Sequence, residues 1–163
     1  MSFLRLLMLL ALVVWIGGLI FFAFVVAPVV FSPALLPSRQ LAGSIVGRSL
    51  DGLHFMAIGS GIVFLIASMA YSRMATGFFR PLRARHVLIV LMLMLTLISQ
   101  FGITPKMHAI RAQAGVIDTL PLDHPLRVEF DRLHAWSEHL EEAILLMGLV
   151  ALYATAQALR EAA

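Results

Sequence analysis

Four long apolar segments dominate this sequence, and they constrain its fold more than any other feature. They run from about residue 3 to 31, 52 to 71, 87 to 104 and 128 to 159. About 20 apolar residues in a helix cross the hydrocarbon core of a bilayer, and a helix satisfies its own backbone hydrogen bonds there. Residues 1–163 are therefore predicted to form a single all-α domain, an integral membrane four-helix bundle whose partner is the lipid bilayer.

The composition supports a membrane protein and excludes several other classes. Of the residues, 61% are hydrophobic and 13% are charged, against about 45–50% and about 25% in soluble domains. The net charge of +3 comes from basic residues beside the apolar segments, where they anchor spans, so nucleic acid is not an expected partner. The absence of cysteine rules out disulfides and thiolate metal sites. No nucleophile–base pair, phosphate-binding glycine loop or His-Glu-x-x-His motif occurs, so an enzyme is the least expected class.

The basic residues also predict the topology. The segment from Ser72 to His86 contains four arginines and no acid, namely Arg73, Arg80, Arg83 and Arg85. The positive-inside rule places such a loop in the cytoplasm. Both termini are then cytoplasmic, and the two remaining loops face the outside, which is the periplasm if the chain lies in a bacterial inner membrane. The first apolar segment is too long for a signal peptide, so it is predicted to be an uncleaved span.

The connections between the spans are predicted from prolines and polar residues. Pro28 marks the end of the first span or a kink near it, and Pro105 ends the third. Residues 32–51 form a loop whose second half, from Ser38 to Arg48, favours a short interfacial helix. The stretch from Met107 to Ala114 has the pattern of a short amphipathic helix.

The two halves of the chain resemble each other. The first and third spans end in Ala27-Pro28 and Thr104-Pro105, and the second and fourth open with Asp51-x-x-His54 and Asp131-x-x-His134. This pattern predicts a two-plus-two tandem repeat with both halves in one orientation, and binding sites often form where such repeats meet.

The start of the fourth span is the richest in ionisable groups. His134, Ser137, Glu138 and Glu141 recur at helical spacing and share one face. Ionisable groups at the mouth of a span are costly and usually point into the bundle or to water. If the repeat is real, His54 lies at the same level, so these residues are predicted to form one polar pocket.

Three functions fit that pocket. Facing His54 and His134 would be axial ligands of haem b, or they would bind a divalent transition metal together with Glu138 and Glu141, with Asp51, Asp131 and Ser137 orienting the ligands. A small transporter, or a subunit of one, would use Glu141 as a protonatable group. A structural or accessory protein without cofactor is the third alternative, in which each histidine simply pairs with an acid. A di-iron site is excluded because the first and third spans carry no carboxylates. Small residues at Gly17-Gly18 and in the second span favour helix contacts, so a homo-oligomer is possible.

Several motifs together resemble a known family. They are Trp15-Ile-Gly-Gly18 followed by Phe21 to Phe31, Leu36-Pro37 with Arg39 and Ala42-Gly43, His54, Pro105 with Met107, and Leu133-His134 with Ser137. This set is similar to the transmembrane protein 205-like family, whose bacterial members are described as domain of unknown function 4149. The resemblance implies a four-span membrane protein and little biochemistry, because the family has no established activity. The family's last motif commonly continues to an asparagine where this chain has Glu141, which makes the pocket more acidic here.

Overall fold

The computed structural model describes residues 1–36, 38–78 and 83–160, and within them the chain is helical with no strand. Four long helices are apolar enough to cross a membrane. We number them α1 (Ser2–Val30), α2 (Arg39–Thr76), α3 (Ala84–Ala114) and α4 (Pro125–Arg160). A short 3₁₀ turn, Ile117–Thr119, lies between the last two. The prediction of an all-α membrane bundle with four spans is confirmed, whereas the orientation of the termini stays a prediction.

Helix α2 is longer than the span predicted within it. It begins at Arg39, because the hydroxyl of Ser38 accepts a hydrogen bond from the backbone N–H of Leu41 at 3.2 Å and caps the helix. No proline interrupts the helix before Gly77, whose φ of 72° ends it in the left-handed conformation. The short interfacial helix and the span that we predicted separately are thus one continuous helix.

The helix that contains the third span does not end at Pro105 but continues to Ala114, so it includes the short helix predicted from Met107 to Ala114, whereas the bounds of the span itself stay a prediction. A five-residue π-helical segment, Ser99–Ile103, comes directly before Thr104 and Pro105. Proline normally clashes with the carbonyl four residues earlier, and here that residue lies in the wider π turn. The same arrangement occurs in α1, where the π segment Phe22–Val26 precedes Ala27 and Pro28. This shared device agrees with the predicted tandem repeat, which stays a prediction.

Small residues let the four helices approach closely around a tightly packed core. A Cβ atom built on Gly61 would lie 2.7 Å from Leu93 Cδ2 and 2.8 Å from Trp15 Cζ3. One on Gly148 would lie 2.9 Å from Ile16 Cγ1. Close backbone approach through small residues is the usual packing mode of helices in lipid. The largest fully buried side chains are Trp15, Phe64, Met8, Leu12, Ile89, Met92 and Ile144.

Two exposed aromatic residues on α4 give a scale for the bilayer. Trp136 and Tyr153 are 59% and 67% exposed, and they are about 25 Å apart along the helix axis at 1.5 Å per residue. This spacing matches two aromatic belts at the membrane–water interfaces, around a hydrocarbon core of about 30 Å. Glu141 lies between them, about 7 Å inward from the level of Trp136.

Candidate functional site

A buried histidine is the centre of a polar network between three helices. His54 on α2 is 2% exposed. Its Nδ1 lies 2.7 Å from Gln100 Oε1, and its Nε2 lies 2.7 Å from Glu141 Oε1. The amide nitrogen of Gln100 donates to Asp51 Oδ1 at 3.4 Å, which directs the amide oxygen of Gln100 toward His54. Glu141 also accepts a hydrogen bond from the hydroxyl of Ser99 at 3.4 Å.

This geometry defines the proton content of the network. A neutral imidazole carries one N–H and can donate to only one of two oxygen acceptors, whereas an imidazolium donates from both nitrogens. Both hydrogen bonds of His54 are satisfied when its ring and the Glu141 carboxyl group together hold two protons: either the imidazolium donates to the carboxylate, or the protonated carboxyl group donates to Nε2 of an Nδ1–H imidazole. The pair then has no net charge, which lowers the cost of placing it between the two aromatic levels of the membrane.

The π-helical segment of α3 supplies the other half of the network. Ser99 and Gln100 are the first two residues of that segment, and both are buried. Such π segments are often found at functional sites. Neither residue is among those that the sequence pattern predicts for the pocket. The signal that would have found them is a pair of polar residues inside an otherwise apolar span.

The structure does not join the two predicted histidines in one site. His134 is half exposed, its Nε2 lies 3.4 Å from Glu138 Oε1, and its ring stacks on Phe130. The hydrogen-bond partners of His54 within the described residues are Gln100 and Glu141. Of the residues that the sequence predicts for the pocket, the network contains His54, Glu141 and, through Gln100, Asp51.

The remaining predicted residues lie nearer to the surface. Asp131 is exposed and its carboxylate lies 3.9 Å from Arg127 Nε, so its ion-pair partner is an arginine one turn earlier. Ser137 is buried, and it lines a cavity together with His134 and Glu138. Glu141 also contributes to this cavity, so it belongs to both the buried network and the open space.

In the described parts of the chain, no group of three or more His, Asp or Glu side chains is arranged to hold a metal ion. Both ring nitrogens of His54 already bind protein oxygens. An axial bond from His54 to haem iron would displace one of those partners. The haem or metal site at His54 and His134 therefore stays a prediction that the geometry does not support.

The cavity, which we call the Glu141 cavity, has a volume of about 640 Å³. It lies between the second half of α1, the first turns of α2, the part of α3 that follows the π segment and the first half of α4. Its walls are mainly apolar and include Leu19, Phe22, Phe24, Phe31, Val46, Leu50, Met107 and Leu145. Its polar side chains are Thr104, His108, Arg111, His134, Ser137, Glu138, Glu141 and Glu142. The Glu141 side chain is 17% exposed, so one carboxylate contacts both a ligand-sized space and the buried imidazole.

Arg111, the one arginine among the described residues that line the Glu141 cavity, is held against the protein. Arg111 donates to the carbonyl oxygen of Gly43 at 3.2 Å, and its guanidinium lies 4.9 Å from the centre of the Phe130 ring. A Cβ atom on Gly43 would lie 3.0 Å from Arg111 Nη2, so this glycine makes room for the guanidinium. Three glutamates line the same cavity, and the carboxylates therefore outnumber this one engaged cation.

Comparison with known proteins gives a family and no activity. Residues 10–115 match the family model described as "Domain of unknown function (DUF4149)". No curated protein matches the chain, and no solved structure matches it. The matched region includes His54 and Gln100 and ends before Glu141.

Proposed function

Because the chain belongs to the DUF4149 family, whose description states no activity, we propose its function from the geometry: it binds small amphipathic cations in the Glu141 cavity and exchanges them for a proton of the His54–Glu141 pair. The chain would then act as a small proton-linked membrane transporter or as the binding subunit of one. The four apolar helices support the membrane setting, and the network at His54 supports the exchange.

One observation carries the proposal. The carboxylate oxygen of Glu141 that lies 2.7 Å from His54 Nε2 belongs to a side chain that also lines the Glu141 cavity. A cation that enters the cavity and contacts this carboxylate competes with the imidazolium for the same negative charge. Opposite charges in a low-dielectric site interact strongly, so a ligand cation at this carboxylate weakens the stabilisation that the imidazolium receives from it.

The walls of the cavity support an amphipathic cation as the ligand. Phe22, Phe24 and Phe31 line it, and aromatic faces attract cations that have lost their water shell. Ligand sites typically combine such apolar walls with a few polar groups that fix orientation. The carboxylate of Glu141 provides such a group on α4.

The exchange of a ligand cation for a proton follows because both cations depend on the negative charge of Glu141. When a ligand cation pairs with Glu141, the imidazolium of His54 is left buried without its anion, which is costly in a membrane interior. The proton leaves His54 Nε2 through the carboxylate that accepts its hydrogen bond and reaches the water of the cavity. Binding should therefore be tighter at higher pH. The other ionisable groups around this path are Asp51 on α2, His108 and Arg111 on α3, and His134, Glu138 and Glu142 on α4.

Transport in proteoliposomes tests this function. A pH gradient with an acidic interior should drive ethidium, an aromatic cation, into vesicles that contain the wild-type protein. The variant Glu141→Gln keeps the size of the side chain and removes the charge, so ethidium uptake should fall to the rate of protein-free vesicles. Uptake is followed by the fluorescence of ethidium bound to DNA inside the vesicles.

The matched control for this assay is Glu138→Gln. Glu138 lies one turn earlier on α4 and lines the same cavity, but its side chain is 62% exposed and pairs with His134 instead of His54. Uptake by Glu138→Gln should stay within about twofold of wild type, as expected for an exposed ion pair. Equal uptake by wild type and Glu141→Gln would contradict the proposal.

A further inference from the structure

A buried arginine at the opposite end of the bundle has no carboxylate partner among the described residues. Arg85 is 2% exposed, and its Nη2 donates to the hydroxyl of Ser72 at 3.2 Å. Within residues 1–36, 38–78 and 83–160, its Nε and Nη1 have no hydrogen-bond partner. The ion pairs of the described residues do not include Arg85. A buried charge without a partner is costly, so these free donors point to a ligand.

The position of Arg85 in its helix favours an anion. It is the second residue of α3, which begins at Ala84. The first backbone N–H groups of a helix have no intrahelical acceptor and give that end a partial positive charge. Arg83, the N-cap, supplies no capping hydrogen bond from its side chain. A guanidinium with unused donors beside a helix N-terminus fits the tetrahedral oxygens of a phosphate group.

The surrounding residues add positive charge and polar support. Arg5 of α1 contacts the same end of α2 that carries Ser72, since its Nη2 donates to the hydroxyl of Tyr71 at 2.9 Å. His86 follows Arg85 and shares a hydrogen bond of 2.8 Å with the hydroxyl of Ser68. The Asp and Glu residues in the described parts of α2 and α4 lie at the level of His54 or farther from Arg85 than His54 does, and the described part of α3 contains none.

The depth of Arg85 along the bundle matches the depth of the lipid phosphates in a bilayer. Gln100 and Glu141 both contact His54 and therefore share one depth. Arg85 lies about 22 Å from Gln100 along α3, and Tyr153 lies about 18 Å from Glu141 along α4. The backbone of Arg85 is thus about 4 Å beyond the level of Tyr153, and headgroups occupy this layer outside the hydrocarbon core.

We propose that Arg85 and the N-terminus of α3 form a binding site for a phosphate group at the arginine-rich end of the bundle. The phosphate belongs to a phospholipid headgroup or to a free phosphate, because both present the same oxygens. Arg80, which the sequence analysis grouped with these arginines, lies outside the described residues and has no part in the proposal.

Lipid binding to the purified protein tests this site. Native mass spectrometry in mild detergent is used to titrate short-chain phosphatidylglycerol, with the phosphate-free diacylglycerol as the comparison ligand. Wild type should bind phosphatidylglycerol and not diacylglycerol. Arg85→Gln should weaken that binding by at least about tenfold, as expected when one charge-assisted pair is lost. Arg73→Gln is the matched control, because Arg73 is an exposed arginine one residue after Ser72, and it should change the affinity less than about twofold.

A titration with inorganic phosphate alone distinguishes free phosphate from a phospholipid headgroup as the ligand. If it raises the unfolding temperature of wild type but not of Arg85→Gln, and phosphatidylglycerol does not bind, the site takes free phosphate and the proposal stands. Equal weakening by Arg85→Gln and Arg73→Gln would show only diffuse attraction and overturn it, as would the absence of binding by either ligand. If Arg85→Gln does not fold, Arg85→Lys replaces it. This variant keeps the charge without the guanidinium fork, and wild-type binding by it would also overturn the proposal.

Discussion

Replacing His54 by alanine should destabilise the protein by about 3 kcal/mol, because it breaks a buried ion pair by removing one partner. The change leaves the carboxylate of Glu141 and the amide oxygen of Gln100 without the imidazole that lies 2.7 Å from each. Unpaired polar groups in a membrane interior are costly. Thermal unfolding in mild detergent, followed by circular dichroism, should show a midpoint lower by roughly 6–12 °C for a chain of this length.

The matched control for His54→Ala is His134→Ala. His134 occupies the corresponding place in the predicted repeat, but its side chain is 49% exposed and its contact to Glu138 is 3.4 Å. Its loss should cost less than about 1 kcal/mol, the usual value of an exposed pair. Similar midpoints for the two variants would show that the network around His54 does not stabilise the fold.

Replacing Gly61 by leucine should have a second large effect on stability. Even a Cβ atom at this position would lie within 3.0 Å of the side chains of Trp15 and Leu93, and Trp15 is fully buried. The added side chain would force α2 away from α1 and α3, at a cost of about 3 kcal/mol or more. The same unfolding assay should show a lower midpoint for Gly61→Leu. A variant that does not purify as a monodisperse species would show the same loss of packing.

Gly59→Leu is the control for the packing argument. Gly59 lies two residues earlier on α2 and is exposed, and a Cβ atom built on it would meet no other group within 4 Å. Leucine favours a helix over glycine by up to about 1 kcal/mol, so stability should be unchanged or slightly higher. A loss of stability equal to that of Gly61→Leu would place the helix contacts elsewhere.

The membrane fold could be predicted from the sequence because it depends on pattern. Apolar runs long enough to cross a bilayer define four spans whatever their detailed contacts are. The selection of His54 and Glu141 as site residues also came from pattern, since ionisable groups at the mouth of a span seldom lack a role. Their direct contact was not predicted, because helices α2 and α4 meet only in three dimensions.

The similarity of the two Asp-x-x-His motifs predicts that His54 meets His134, but similar motifs do not show which side chains meet in space. The structure gives His54 a glutamate from α4 and a glutamine from α3, and it leaves His134 with a neighbour on its own helix. Local periodicity places residues on a helix face but does not show which helix that face meets. The observed bounds of helices α2 and α3 differ from the predicted ones for a related reason. Pro105 breaks an ordinary α-helix, and the preceding π turn that accommodates it has no clear signature in the sequence.

The most direct test of the central claim is a count of protons released when a cation binds. Tetraphenylphosphonium has a fixed charge, so any proton that appears comes from the protein. It is added to the purified wild-type protein in weakly buffered detergent solution with a pH indicator. The account predicts close to one proton released per cation bound, and none for Glu141→Gln. Binding of the cation to wild type without proton release would contradict the exchange between the Glu141 cavity and His54.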